Sequence, residues 1–201
     1  MKTTLVVLGV IALLSIYVAG VVFLRRYRAW LGYYLLGAFG LTLILVFGAQ
    51  AIGLAGELEA LVTHSTAILA SWLGIGTKWL GQSQFMVMDR SGWVVLETNI
   101  ECSALIESSI LAGLIFFYPA FDWRQKLRYF SIGLVVTVVA NTIRMLIIAG
   151  MTATLGRGAV FWGHAIVGRL FFFAVIIALY WFILTRPTVH KVAKTIGEAE
   201  A

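Results

Sequence analysis

Uninterrupted apolar runs constrain this chain more than any other feature. Residues 5–24, 30–53, 101–121, 129–151 and 163–184 are each dominated by apolar side chains. About 18 to 20 such residues span the ~30 Å hydrocarbon core of a bilayer. Lipid offers no partner to backbone N–H and C=O groups, so such runs can cross only as helices or a closed barrel. Composition agrees: 61% of residues are hydrophobic and 12% charged, against about 25% charged in soluble domains. The expectation is an all-α polytopic membrane protein of about five transmembrane helices, with residues 1–201 forming one integral membrane domain.

Residues 57–100 break this pattern. Leu58, Leu61, Val62, Ile68, Leu69 and Trp72 fall near one helical stripe, while His64, Ser65, Thr66 and Ser71 interrupt the run. This reads as an amphipathic helix in the membrane interface, not a crossing. The period then changes to two. Phe85 to Met88, a turn at Asp89 to Gly92, and Trp93 to Leu96 read as a small β-hairpin outside the membrane.

Basic residues set the orientation. Arg25, Arg26 and Arg28 follow the first span, Arg124, Lys126 and Arg128 the third, and Arg186, Lys191 and Lys194 the fifth. All three clusters then fall on one side, the cytoplasm. The other side holds Lys2, Lys78, Arg90 and Arg157, offset by Glu57, Glu59, Asp89, Glu97 and Glu101. The expected location is the plasma membrane, multi-pass, with the N-terminus outside and the C-terminus cytoplasmic. Topology thus accounts for the net charge of +6, and the lipid bilayer, not nucleic acid, is the implied partner. Oligomeric state is not legible.

The chain has one cysteine and three histidines. An internal disulfide is excluded, and the scattered ligands imply no metal or other cofactor. That cysteine, Cys102, opens the third apolar run at the outer boundary. Arg144 lies 15 residues beyond Tyr129, or ~22 Å up a helix, also in the outer leaflet. His164 opens the fifth run at the same level. Below them, Glu107 and Arg169 are expected to form an intramembrane ion pair with Asn141 close by, since ionisable groups at this depth are normally paired. Thr98 and Glu101 match a capping box, which puts Cys102 in the first turn of a helix. A helix N-terminus and nearby cations lower a thiol's pKa, while Glu101 and Glu107 oppose this.

Each residue also has a plain structural reading. A lone membrane cysteine is commonly a small packing residue. An arginine near a helix end commonly snorkels to headgroups. His164 fits an interface position, Asn141 fits helix-packing glue, and His64 and His190 fit the surface. The coincidence of three chemically capable groups at one level favours function.

The segments Glu101-Cys102-Ser103-Ala104-Leu105-Ile106, Asn141-Thr142-Ile143-Arg144-Met145 and Gly163-His164-Ala165-Ile166-Val167-Gly168-Arg169-Leu170-Phe171 resemble the exosortase/archaeosortase family, in order and spacing. The compact chain is similar to the small Gram-positive branch. The resemblance implies a membrane cysteine protease and transpeptidase. Its substrate would be a membrane-anchored protein with a C-terminal sorting tail: a short motif, a helix and a basic cluster. The family's Cys, Arg and His carry over to Cys102, Arg144 and His164, at the extracellular face. Cys102 would form a thioester with the substrate, Arg144 would stabilise the oxyanion or orient the thiolate, and His164 would move the proton. Gly168 would leave room for the substrate's approach. One departure is Ala104, where the family often has Gly.

Two other classes remain open. A non-catalytic membrane partner in polysaccharide or protein export would not need Cys102. An intramembrane hydrolase or lipid-phosphate enzyme would need a Gly-x-Ser-x-Gly elbow, paired carboxylates or an Arg/His cluster, and none of these patterns stands out.

Overall fold

The computed structural model describes residues 2–89 and 92–189. The expected turn at Arg90 and Ser91 and the tail with His190, Lys191 and Lys194 fall outside them. Helix α1 (Lys2–Arg26) ends on Arg25 and Arg26, where cations suit the negative end of the helix dipole. Arg28, in the left-handed region at φ 57°, turns the chain into α2 (Trp30–Ala51). Helix α3 (Leu54–Trp72) follows after a left-handed Gly53. Strands β1 (Thr77–Gly81), β2 (Gln84–Asp89) and β3 (Gly92–Glu97) come next. Then come α4 (Leu105–Phe117) and α5 (Trp123–Leu155). The last helix, α6, is Ala159–Val189.

Among the described residues, four helices are long and apolar enough to cross a membrane: Leu8–Arg26 of α1, then α2, α5 and α6. Helix α4 is apolar but only 13 residues long, about 20 Å at ~1.5 Å per residue. It lies against α2, where Gly113 leaves no room for a side chain beside the Ala38 carbonyl. Helix α5 is central and packs against α3, α4, α6 and β2.

Three local readings are corrected. The gap at residues 122–128 between the third and fourth apolar runs is not a connecting loop but the start of α5. Asp122 accepts from Gln125 N at 2.7 Å, and Gln125 Oε1 accepts from Asp122 N at 3.3 Å. This capping box starts α5 at once, and Lys126 Nζ then caps α4 by donating to Phe116 O at 2.6 Å. The hairpin is the last part of a three-stranded antiparallel meander in the order β1-β2-β3. β1 lacks a two-residue alternation. It is held by tertiary bonds, Thr77 Oγ1 to Ala67 O at 2.9 Å among them. Finally, the apolar positions of α3 do not form one buried stripe. Val62 is buried with Ala55, Thr63, Thr66, Ala67 and Ala70, while Leu61, Ile68 and Trp72 face outward. Adjacent residues sit 100° apart on a helix, so Leu61 and Val62 cannot both face the bundle.

The sheet turns Phe85, Val87, Val94 and Leu96 toward the bundle, where they join Val62, Ala67, Met145, Ile148 and Ala149 in one core cluster. Cys102 belongs to that cluster. At the other end of the bundle, Leu111 and Ile115 of α4 pack with Leu179 and Ile183 of α6.

Candidate active site

The segment between β3 and α4 carries the cysteine. Thr98 N donates to Ser83 O at 2.8 Å and so extends the sheet ladder by one pair. Residues Ile100–Cys102 then form a single 3₁₀ turn, closed by Cys102 N to Asn99 O at 2.8 Å. Ala104 adopts φ 61°, ψ 8°, and α4 begins only at Leu105. Its first N–H bonds to Ser103 Oγ at 3.3 Å, and Ser103 Oγ in turn donates to Ile100 O at 2.8 Å. The expected capping box at Thr98 and Glu101 is therefore absent. Thr98 is committed to the sheet, and its buried Oγ1 has no hydrogen-bond partner. Cys102 precedes the helix instead of sitting in its first turn.

Two side chains one turn apart on α5 hold this segment. Asn141 Nδ2 donates to Cys102 O at 2.5 Å. Arg144 Nη1 donates to Glu101 O at 3.3 Å, and Nη2 lies 3.7 Å from Cys102 Sγ. Arg144 is 4% exposed and Cys102 0%. The guanidinium also lies 5.5 Å from the centroid of the Phe172 ring on α6, a cation–π distance. Gly168 explains this closeness. A Cβ there would stand 3.2 Å from Arg144 Cγ and 2.7 Å from Gly163 O. The space expected for substrate at Gly168 is filled by the stem of Arg144.

His164 lies within a π-turn, Gly163–Val167, near the start of α6. Such turns recur at functional sites. The ring is half-buried and within electrostatic reach of Arg144, Arg169 and Glu101. No hydrogen bond joins it to Cys102 among the described residues. Arg144 is the polar side chain that reaches the sulfur.

The ion pair expected between Glu107 and Arg169 is replaced by another. Arg169 Nη2 lies 3.6 Å from Glu101 Oε2, with both side chains more than half exposed. Glu107 Oε2 is buried and makes no hydrogen bond. Placing Glu107 one helical count below Cys102 fails because the end of a 3₁₀ turn and a left-handed residue intervene, with a different rise and twist. Asn141 donates to the Cys102 carbonyl. Glu101, Glu107, Arg144 and Arg169 all line one cavity of about 560 Å³.

Burial pushes the Cys102 thiol up from its ordinary pKa. Arg144 and the turn hydrogen bond to Asn99 pull it down, and Glu101 and Glu107 add to the rise. Between these opposing influences burial decides in the closed site: desolvation of the thiolate outweighs the guanidinium. Phe172 and the Glu101 carbonyl were not foreseen. Phe172 stands one turn beyond Gly168 on the same helix face, which is the signal the sequence carried for it.

The arrangement offers a lone thiol, a fixed cation at the sulfur and an imidazole one helix away. No curated protein sequence and no solved structure matches the chain. A family model described as "Transmembrane exosortase" matches residues 2–182. The match runs through the Cys102 turn, Arg144 and His164, and the chain belongs to the transmembrane exosortase family.

Proposed function

We propose that the chain is a membrane cysteine transpeptidase. It cleaves the C-terminal sorting signal of a membrane-anchored protein at the extracellular face. The observation that carries this reading is the Arg144 guanidinium, 3.7 Å from the sulfur of Cys102 and also bonded to the neighbouring Glu101 carbonyl. A buried cation fixed at a unique thiol favours the thiolate over the thiol, and it can follow charge onto an oxyanion. The basic clusters around Arg25, Arg124 and Arg186 support a cytoplasmic assignment for the opposite end of the bundle.

In this mechanism the Cys102 thiol gives its proton to His164. The sulfur attacks the scissile carbonyl, and the oxyanion is held by Arg144. Collapse breaks the C–N bond, His164 returns the proton to the leaving amine, and a thioester remains on Cys102. An amine or hydroxyl acceptor, or water, then resolves the thioester and regenerates the thiol. Asn141 positions the turn by holding the Cys102 carbonyl.

The complete burial of Cys102 favours a second reading, a non-catalytic partner in surface export whose cysteine only packs. One experiment separates the two. The chain is co-expressed with a membrane protein carrying a short motif, a transmembrane helix and a basic tail, and loss of the tail is followed by mass. Tail removal that stops in Cys102→Ala and Arg144→Ala supports the transpeptidase. Function retained in Cys102→Ala establishes the packing role.

A further inference from the structure

Cys102 has no exposed surface, so any reagent or substrate must reach it through a particular wall. Cys102 is packed into the core cluster that the sheet and α5 form with Phe85, Leu96, Met145 and Ile148. The remaining polar contact is Arg144, and Arg144 lines the 560 Å³ cavity between the start of α4 and α6. That cavity has a polarity gradient. Glu101, Glu107, Arg144 and Arg169 give its charge, and Leu170, Phe173 and Ile176 continue it along α6 as an apolar wall. Leu170 and Phe173 are more than 60% exposed. Helices α4 and α6 converge at the far end, where Leu111 and Ile115 meet Leu179 and Ile183. That packing closes the cleft at the far end, and Arg144 stands in its charged part.

We infer that Cys102 is reached laterally, from the hydrocarbon side, through this cavity. Its occupant is the outer end of a transmembrane segment just beyond the scissile bond. The gradient fits that chemistry. An unwound, polar peptide stretch meets the four charged groups, among them the buried Glu107 Oε2 that makes no hydrogen bond among the described residues, and the apolar helix that follows lies along Leu170, Phe173 and Ile176. The Glu101–Arg169 pair is the wall that such a segment passes. The identity of the occupant rests on the transpeptidase reading; the route does not.

The test uses the intact membrane protein, whose single cysteine makes labelling unambiguous. The probes are N-dodecylmaleimide and the charged sulfonatoethyl methanethiosulfonate, each rate divided by that on the SDS-unfolded chain. Lateral access predicts that the dodecyl reagent is favoured by at least about tenfold, since its chain enters through lipid. Leu170→Trp and Ile106→Trp, which fill the cavity, slow it by about tenfold. Phe173→Ala speeds it, and Val95→Trp on the outward face of the sheet leaves it unchanged. Equal or preferential reaction with the charged reagent overturns the route. So does Val95→Trp blocking the label while Phe173→Ala is without effect, or a native Cys102 that neither reagent reaches. A lateral route found together with intact function in Cys102→Ala would sink the transpeptidase reading alone.

Discussion

Arg144 Nη2 and Cys102 Sγ are 3.7 Å apart, 42 residues distant in the chain. The contact joins the long central helix to a three-residue turn that belongs to neither a helix nor the sheet. The guanidinium bridges the sulfur and the preceding carbonyl, so it fixes the turn and sets the thiol's charge environment together.

The thiol's pH behaviour follows from that pairing. Its folded pKa is raised, chiefly by burial. Alkylation of native Cys102 should therefore be slow at neutral pH and climb only above the range of a free thiol. The sign for stability is set by linkage. Between the unfolded and folded pKa values the unfolded chain has lost the proton and the folded one keeps it, so stability falls as pH rises through that window. Cys102→Ser should lack this alkaline decline. Thermal unfolding in detergent at a series of pH values measures it, and identical profiles for the two proteins would refute the account.

Arg144→Lys keeps the charge but cannot span both contacts, because an ammonium lacks the planar fork. Tail cleavage should fall by roughly 10² to 10³, the usual effect of removing one oxyanion donor. Arg144→Ala should also raise the pH at which Cys102 alkylates, since the cation that favours the thiolate is gone. Single-turnover cleavage and labelling rates give the two readouts.

Asn141→Ala strips the donor from a buried carbonyl. A carbonyl left unsatisfied costs about 1–3 kcal/mol, and the Cys102 turn should loosen with it. Expected are a lower unfolding temperature and faster Cys102 labelling by small reagents. A variant that labels like the parent would show that the bond does not position the turn.

Ala104 sits at φ 61°, where a side chain costs about 1–2 kcal/mol relative to glycine. Ala104→Gly relieves that strain but loses a buried methyl worth ~0.8 kcal/mol and adds chain entropy. It should be within about 1 kcal/mol of the parent. Ala104→Val should lose at least ~2 kcal/mol, a β-branched residue being still less suited to this region. Denaturant midpoints of the three proteins decide it.

A double-mutant cycle distinguishes the two carboxylates that line the cavity. Glu101 and Arg169 should couple by about 0.2–1 kcal/mol, as exposed pairs do. Glu107→Gln should leave the contribution of Arg169 unchanged. A coupling confined to Glu107 would restore the pair expected from helical counting.

The parts of the chain legible in its sequence are those where one rule acts locally. Apolar run length placed α1, α2, α5 and α6, because a backbone in lipid must satisfy itself along its own helix. The β2–β3 pairing was legible from its period of two, and α3 was legible as a helix but not in the face it buries. The family motifs marked Cys102, Arg144 and His164, and a count of turns put Asn141 and Arg144 on one face of α5.

What tertiary structure decided lies between those elements. The sheet took Thr98 and so removed a helix cap that the sequence pattern favoured. A left-handed Ala104 and a 3₁₀ turn then altered the helical count, giving Arg169 to Glu101 in place of Glu107. Gly168 became the seat of the Arg144 stem. Burial in the cluster with Phe85, Leu96 and Met145 left the thiol protected. The sequence by itself determined a bundle of apolar helices that carries one cysteine, with Asn141 and Arg144 on one helix. Which of them touch, and with what charge on the sulfur, depended on packing. Contact and desolvation belong to side chains brought together from distant segments, and no spacing along one strand or helix encodes them.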